Sequence, residues 1–335
     1  LSKLKTTTYE CKLGLLQTEI AIKQTKDYFE AELSKALNLI RVSAPLFVKE
    51  GKGINDNLNG SERTVSFDGL HLKSEKLEIV QSLAKWKRIA LQKYGLKVGQ
   101  GLCTDMKAIR RDEELDHLHS FYVEQWDWEK VISPEQRNIS TLISEVKTIY
   151  KVLKDTENYL FEHYPELEPV LPDTIQFITA QELENLFPTL TPKEREDKIS
   201  KQHGAVFIMQ IGGKLRSGAK HDGRSPDYDD WTLNGDLILW YPTLGCSVEI
   251  SSMGIRVDGK ILLRQLFVSG NQDRQELEYH QMILQNALPT SIGGGIGQSR
   301  VCMFLLKKAH IGEVHSSVWN ESILQECKEA NIPLL

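Results

Sequence analysis

Cysteine is scarce in this chain, and what there is follows no pattern. Cys11, Cys103, Cys246, Cys302 and Cys327 are spread over 335 residues with no CxxC spacing. An odd, scattered set argues against a disulfide framework and suits a reducing compartment. Long apolar runs are missing as well. No stretch approaches the about 20 residues of a membrane-spanning helix. The opening Leu1-Ser2-Lys3-Leu4-Lys5-Thr6 lacks the apolar stretch and small-residue cleavage site of a secretory signal. A cytoplasmic protein without a membrane partner is expected. Nor is there an excess of positive charge. With 41 Lys and Arg against 46 Asp and Glu the net charge is −5, so no global basic field would attract nucleic acid. Internal repeats, low-complexity tracts and Pro/Gly/Ser linkers are absent too, which predicts a single domain over residues 1–335.

What remains is an ordinary globular composition, 40% hydrophobic and 26% charged, ample for a substantial core. Phe29, Leu33 and Leu37 recur at four-residue steps and predict a helix over 18–37. A short strand at 39–42 then leads to Pro45. Residues 55–60 read as a turn-rich loop. Ser82 is the expected cap of a helix with Leu83, Trp86 and Ala90 on one face, stopped at Gly95. Over 121–129 the period is two: Gln125, Asp127 and Glu129 fall on one face, and Glu124, Trp126 and Trp128 on the other. A polar face beside bulky aromatics marks a strand that lines a site. Ile143, Val146, Tyr150, Leu153 and Leu160 form the stripe of a long helix. Thr191, Pro192 and Glu194 announce another, with N-cap, first-turn proline and capping box, closed by Gly204. Apolar strands are expected at 205–211, 237–241, 247–250 and 254–257, and a last strong helix after Gly297. Strands joined by short turns imply antiparallel pairing. The expected fold class is α+β, an antiparallel sheet flanked by helices.

Three segments carry chemistry. Gly293-Gly294-Gly295-Ile296-Gly297-Gln298-Ser299-Arg300 reads as a glycine-rich turn into a helix, where exposed N–H groups and the helix dipole favour an anion. Arg300 in the first helical turn adds a planar cation suited to phosphate or to stacking on a base. No GK[ST] follows, so this is not a Walker A loop. In the second segment, strand alternation sets Glu249 and Ser251 opposite Val248 and Ile250. Asp236, thirteen residues before Glu249, is the natural second carboxylate for Mg²⁺ held between protein and phosphate oxygens. The third is Lys107-Ala108-Ile109-Arg110-Arg111, just ahead of the Gln125/Asp127 strand.

Together these segments resemble motifs 2 and 3 of the class II aminoacyl-tRNA synthetases, at about 104–129 and about 292–306, with about 20–47 resembling motif 1. More narrowly, the chain resembles the ammonia-dependent asparagine synthetases (aspartate–ammonia ligases) across nearly its whole length. The matching blocks run in one order: 56–58, 82–88, 106–108, 125–129, 226–231, 233–236, 251–257 and 292–300.

The resemblance implies a two-step reaction. The β-carboxylate of L-aspartate attacks the α-phosphorus of ATP, giving β-aspartyl-AMP and pyrophosphate; ammonia then displaces AMP. It implies Arg110 on the α-phosphate, and Arg300 with Gly295 and Gly297 about the adenine and phosphates. Asp236 and Glu249 would carry Mg²⁺. Lys87, Gln125, Asp127, Ser251 and Ser252 would hold aspartate, and Asp56 or Asp229 would attract ammonium and take its proton. A homodimer through the motif 1-like helix and strand is implied, and no nucleic acid. The rival readings are an aspartyl- or asparaginyl-tRNA synthetase, for whose anticodon-binding domain the chain leaves no room ahead of motif 1, and a non-catalytic paralogue. Against the second, Arg110, Arg300, Asp236 and Glu249 are all present. One departure stands out. The family has a longer, glycine-containing loop where here a single Thr232 joins Trp231 to Leu233. Either the loop is trimmed or a mobile lid belongs at this point, and the lid is the expectation.

Overall fold

Alternating side chains give the central strands one apolar and one polar face, and that contrast organises the structure, a computed structural model describing residues 9–56, 58, 62–72 and 75–335. Leu1 to Thr6, and Asn57, Asn59 and Gly60 of the expected loop, lie outside the described residues. In chain order the first elements are α1 (Leu15–Leu37), β1 (Leu39–Arg41), β2 (Phe47–Lys49), β3 (Ser66–Phe67), β4 (Leu77–Ile79), α2 (Ala84–Lys93), β5 (Gly101–Ile109), β6 (Tyr122–Val131) and α3 (Ile139–His163). There follow β7 (Gln176–Thr179), α4 (Ala180–Leu186), α5 (Pro192–His203), β8 (Ala205–Met209), β9 (Asp229–Tyr241), β10 (Cys246–Arg256), α6 (Gly259–Ser269), α7 (Glu278–Leu284), β11 (Ser291–Gly297), α8 (Gln298–Leu305) and α9 (Glu321–Glu329).

Eight strands form one sheet in the order β1-β5-β6-β11-β10-β9-β8-β7, and β2-β4-β3 make a small separate sheet. The six central strands of the large sheet pair antiparallel, as the short turns predict. The edge strands β1 and β7 run parallel to β5 and β8, so the sheet is mixed rather than wholly antiparallel. Helices α1, α3 and α8 share the main core with the apolar face. There Phe29 meets Trp126 at 4.5 Å between ring centroids, and Tyr28 stacks on Tyr159 at 4.2 Å. On the polar face, α2 is seated at one end through Leu91, Leu102 and Val131. At the other end α4 and α5 pack through Leu183, Ile199 and Ile238. The strip between these two apolar clusters stays polar, and it becomes the site.

Local signals hold where capping chemistry is explicit. Thr191 caps α5 with Glu194 closing the box, and Gly204 ends it at φ 76°. At α2 the N-cap is Leu83, not Ser82; the Ser82 hydroxyl accepts from the Ala84 N–H instead. The strand expected at 205–211 stops at Met209, because Gln210 turns to φ 65°.

Three findings differ from the sequence reading in ways that shape the site. First, 293–297 is not a turn. It is β11, a glycine strand in the middle of the sheet, paired with both β6 and β10. These glycines answer a need for space: a Cβ on Gly293 would lie 2.0 Å from Glu129 Oε2, and one on Gly295 would lie 2.4 Å from Gln125 Oε1. Second, 247–250 and 254–257 belong to one strand, β10, carrying a bulge between Glu249 and Ser251. The extra residue shifts the phase of alternation. Ser252, opposite Asp236, therefore shares the polar face with Glu249, while Ser251, opposite Leu237, turns toward the core. Third, no lid separates Trp231 from Leu233. Residues 231–233 continue β9, Thr232 is tied back to Asp230 through its N–H and hydroxyl, and the Trp231 N–H donates to Gln265 Oε1.

Gly294 tests the glycine strand, since a Cβ there would sit 2.5 Å from Met253 Cβ and 2.7 Å from the Ser252 carbonyl. Gly294→Ala is expected to destabilise the protein by about 1–3 kcal/mol or more, read as a lowered midpoint in urea. Gly213→Ala, where a Cβ meets nothing within 4 Å, is the control. Equal midpoints for the two variants would contradict the close-approach argument.

Candidate active site

A cavity of about 360 Å³ opens over the polar strip, walled by β6, β11 and β10, by the start of α2, by residues 223–229 and by the head of α8. Strand phase decides which side chains enter. Gln125, Asp127 and Glu129 rise from β6 on one face, as their spacing predicts, and side chains are missing beside them at Gly293 and Gly295. That gap admits long charged groups from neighbouring elements.

Lys87 reaches in from α2. Its buried ammonium donates to Asp127 Oδ1 and to the Gly294 carbonyl at 2.8 Å. Burial pushes the Asp127 carboxyl upward, and Lys87 offsets part of that rise. Asp127 Oδ2 has no partner among the described residues.

Arg256, near the end of β10, is buried between two acids. Its Nε and Nη2 fork onto Glu129, with contacts of 2.9, 3.1 and 2.6 Å, and its Nη1 donates to Asp229 Oδ1. The Ser291 hydroxyl also donates to Glu129, at 2.7 Å. Burial opposes ionisation of both carboxyls, yet the outcomes differ. Arg256 and its fork hold Glu129 below the ordinary range, whereas Asp229, with one contact, stays raised.

Opposite them, Arg224 donates to Asp236 Oδ2, while Asp236 Oδ1 is buried without a partner among the described residues. Burial and the neighbouring Glu249 and Asp222 push Asp236 up to about 8 despite Arg224. Asp236, with its free buried oxygen, and Glu249, whose charge it feels, could hold a divalent cation completed by phosphate and water oxygens. Ser252, the strand partner of Asp236, lines the cavity. Ser251 does not line the cavity; its hydroxyl donates to the Gly295 carbonyl at 2.9 Å.

The two expected arginines both line the cavity. Arg300, in the first turn of α8, donates from Nη1 to the Glu249 carbonyl at 3.1 Å. Arg110 follows β5, with its Nη2 3.4 Å from the Gln81 carbonyl and its buried Nε unpartnered. Gln81 is fully buried in the same wall, with neither amide atom partnered among the described residues. Asp56 sits behind Ser225, whose hydroxyl lies 3.1 Å from its Oδ1. Burial pushes Asp56 up to about 6.

Sequence reasoning missed Arg256, Arg224 and Gln81 as site residues. Arg256 carried the one usable signal, since an arginine on a strand whose alternate residues are apolar must find buried acid partners. Arg224 and Gln81 lie in irregular segments, where no period says which way a side chain points.

An asparaginyl-tRNA synthetase from Pyrococcus horikoshii, solved with asparaginyl-adenylate, superposes with a TM-score of 0.66 at 13% identity, over 90% of this chain and 70% of that one. An aspartyl-tRNA synthetase from Entamoeba histolytica gives 0.62 at 15%, over 96% and 65% respectively. At such identities the likeness is one of fold, and the fold is that of the class II synthetases. Within it the chain belongs to the aspartate–ammonia ligase family, whose model matches residues 16–331. Curated aspartate–ammonia ligases of Clostridium perfringens and Fusobacterium nucleatum are each 59% identical over 327 residues, which is 98% of this chain and 97% and 99% of those proteins. That of Ruminiclostridium cellulolyticum is 55% identical over 334 residues.

Removing the guanidinium between Glu129 and Asp229 would leave two buried acids without their counter-ion. Arg256→Gln is expected to cost about 3–5 kcal/mol, measured by urea unfolding. A loss below about 1 kcal/mol would show that the pair is not electrostatically dependent on Arg256.

Proposed function

We propose that the protein makes L-asparagine from L-aspartate and ammonia with ATP as co-substrate. Whole-length likeness to aspartate–ammonia ligases at 55–59% identity carries this reading. In the first step an oxygen of the aspartate β-carboxylate forms a bond to the α-phosphorus, and the bond to pyrophosphate breaks. Arg110 and Arg300 would face the charge that grows on the phosphate, or in the case of Arg300 stack on the adenine, with Gly295 and Gly297 letting the nucleotide approach the backbone. Asp236 and Glu249 would hold Mg²⁺, which when bound neutralises the pyrophosphate leaving group.

Aspartate is held by groups that pair with its three charges. Lys87 suits a carboxylate; Asp127, with its free Oδ2, suits the ammonium; Gln125 and Ser252 complete the set. Ser251, turned toward the core, acts only by fixing the Gly295 carbonyl. Ammonia then attacks the acyl carbon and AMP departs. Only NH₃ is nucleophilic, so an acid must take a proton from ammonium. Of the two candidates, Asp229 is committed to Arg256. Asp56, with a buried Oδ2 unpartnered among the described residues, is the better acceptor.

We also infer a cytoplasmic homodimer, acting on small molecules without nucleic acid, joined through α1 and β1. Leu16, Ile20 and Ile40 are exposed apolar residues on these elements, and β1 is a sheet edge. All five cysteines are free, in keeping with a reducing compartment.

Asparagine and AMP should form from aspartate, ATP and ammonium with no tRNA present. Turnover that requires tRNA would overturn the proposal. Arg110→Ala and Arg300→Ala should each lower kcat by about 10²–10³-fold with circular dichroism unchanged, and a wild-type rate in either variant would remove that residue from the mechanism.

A further inference from the structure

Behind the cavity wall Asp56 belongs to a polar cluster whose other members the two-step scheme leaves unused. Ser225 Oγ is 2.6 Å from Asp227 Oδ1 and 3.1 Å from Asp56 Oδ1. The other Asp227 oxygen meets three donors: Lys85 Nζ at 3.0 Å, Arg274 Nη1 at 3.1 Å and His280 Nε2 at 3.0 Å. Asp56, Ser225, Asp227, Lys85 and His280 are all buried. These groups come from separate elements. Lys85 is on α2, His280 on α7, Arg274 in the turn before α7, and Ser225 and Asp227 in the segment ahead of β9.

We propose that Ser225, oriented by Asp227, is a positioning residue that makes Asp56 the proton acceptor for ammonium. This rests on the reading of Asp56 given above. A hydroxyl has one proton to donate, and an ionised carboxylate only accepts. Three donors keep Asp227 ionised, so it takes the Ser225 proton along the shorter contact. The lone pairs of Oγ are then left facing Asp56. While Asp56 is ionised, two acceptors oppose each other at this contact. Once Asp56 is protonated, it donates to Oγ and the chain Asp56–Ser225–Asp227 is complete. The cluster therefore favours the state reached after the transfer, in which an N–H bond of ammonium breaks, its electron pair stays on nitrogen and an O–H bond forms on Asp56. The proton passes to solvent after asparagine and AMP leave. Of the other groups facing Asp56, Lys85, whose ammonium also meets Asp227 and the Asn55 carbonyl, and Arg274 favour its ionised form by charge, while the Asp227 carboxylate opposes it; Tyr228 lies near enough to feel the Asp56 charge.

The test uses the full-length enzyme and two readouts: pyrophosphate release for the first step, and the pH dependence of kcat/KM for ammonium for the second. Ser225→Ala removes the acceptor for the Asp56 proton. It should move the acid-side limb of the ammonium profile down by at least about half a pH unit and lower kcat/KM for ammonium about tenfold. The ammonia step should fall well beyond any change in pyrophosphate release. Ser225→Thr, which keeps the hydroxyl, should restore the limb. Asp56→Asn should abolish it. A limb lost in Asp56→Asn but unmoved in Ser225→Ala, or displaced equally in the alanine and threonine variants, would overturn the role of Ser225 alone. A limb that survives in Asp56→Asn would overturn Asp56 as the base, and with it this proposal.

Discussion

A strand with almost no side chains on its polar face, at the centre of a sheet, is the constraint on which the site depends. Gly293 and Gly295 of β11 leave two adjacent gaps on the polar face, and Glu129, Arg256, Asp127 and Gln125 occupy the space. Any Cβ at those positions would overlap a carboxylate or amide at 2.0–2.4 Å. Because the gaps lie between β6 and β10, the charged groups of both strands meet side by side, held by backbone pairing. Ionic groups packed so closely are tolerable only in pairs. The structure supplies the pairs: Lys87 with Asp127, Arg256 with Glu129 and Asp229, Arg224 with Asp236.

The pairing is uneven, and the unevenness has chemical content. Glu129 is fully engaged by a guanidinium fork and a serine hydroxyl, which makes it a fixed anchor for Arg256. Asp127, Asp236 and Asp56 each keep one buried oxygen without a partner among the described residues. An unpaired buried oxygen carries a desolvation cost of about 1–3 kcal/mol, which binding of a cationic or proton-bearing ligand relieves. The three differ in surroundings. Asp127 sits beside a lysine, Asp236 feels the charge of Glu249, and Asp56 shares a serine with another aspartate. Under the proposed function these settings would receive an α-ammonium, a metal ion and an ammonium proton in turn.

Much of this was legible in the sequence where one period or one cap governs. The alternation at 125–129, the box at Thr191–Glu194 and the helix after Gly297 all appear where the residues put them. The errors share a cause. Alternation beyond Glu249 misassigned Ser251, because one extra residue in β10 reverses every later position. The glycine run looked like a loop because propensity sees flexible residues, whereas its neighbours needed the room.

The sequence by itself determined the class II architecture's main helices and strands, the candidate arginines and acids, and through their order the resemblance to aspartate–ammonia ligases. Tertiary structure alone decided which of those charges meet. Arg224 reaches Asp236 from a segment with no periodicity, and Asp56 finds Ser225 across 169 positions of chain. It also decided that Trp231 to Leu233 run on as strand where a lid was expected. The physical reason is that a period fixes the direction of a side chain only within one element. Which partner waits there depends on pairing register and on bulges, and both are set by contacts distant in the chain.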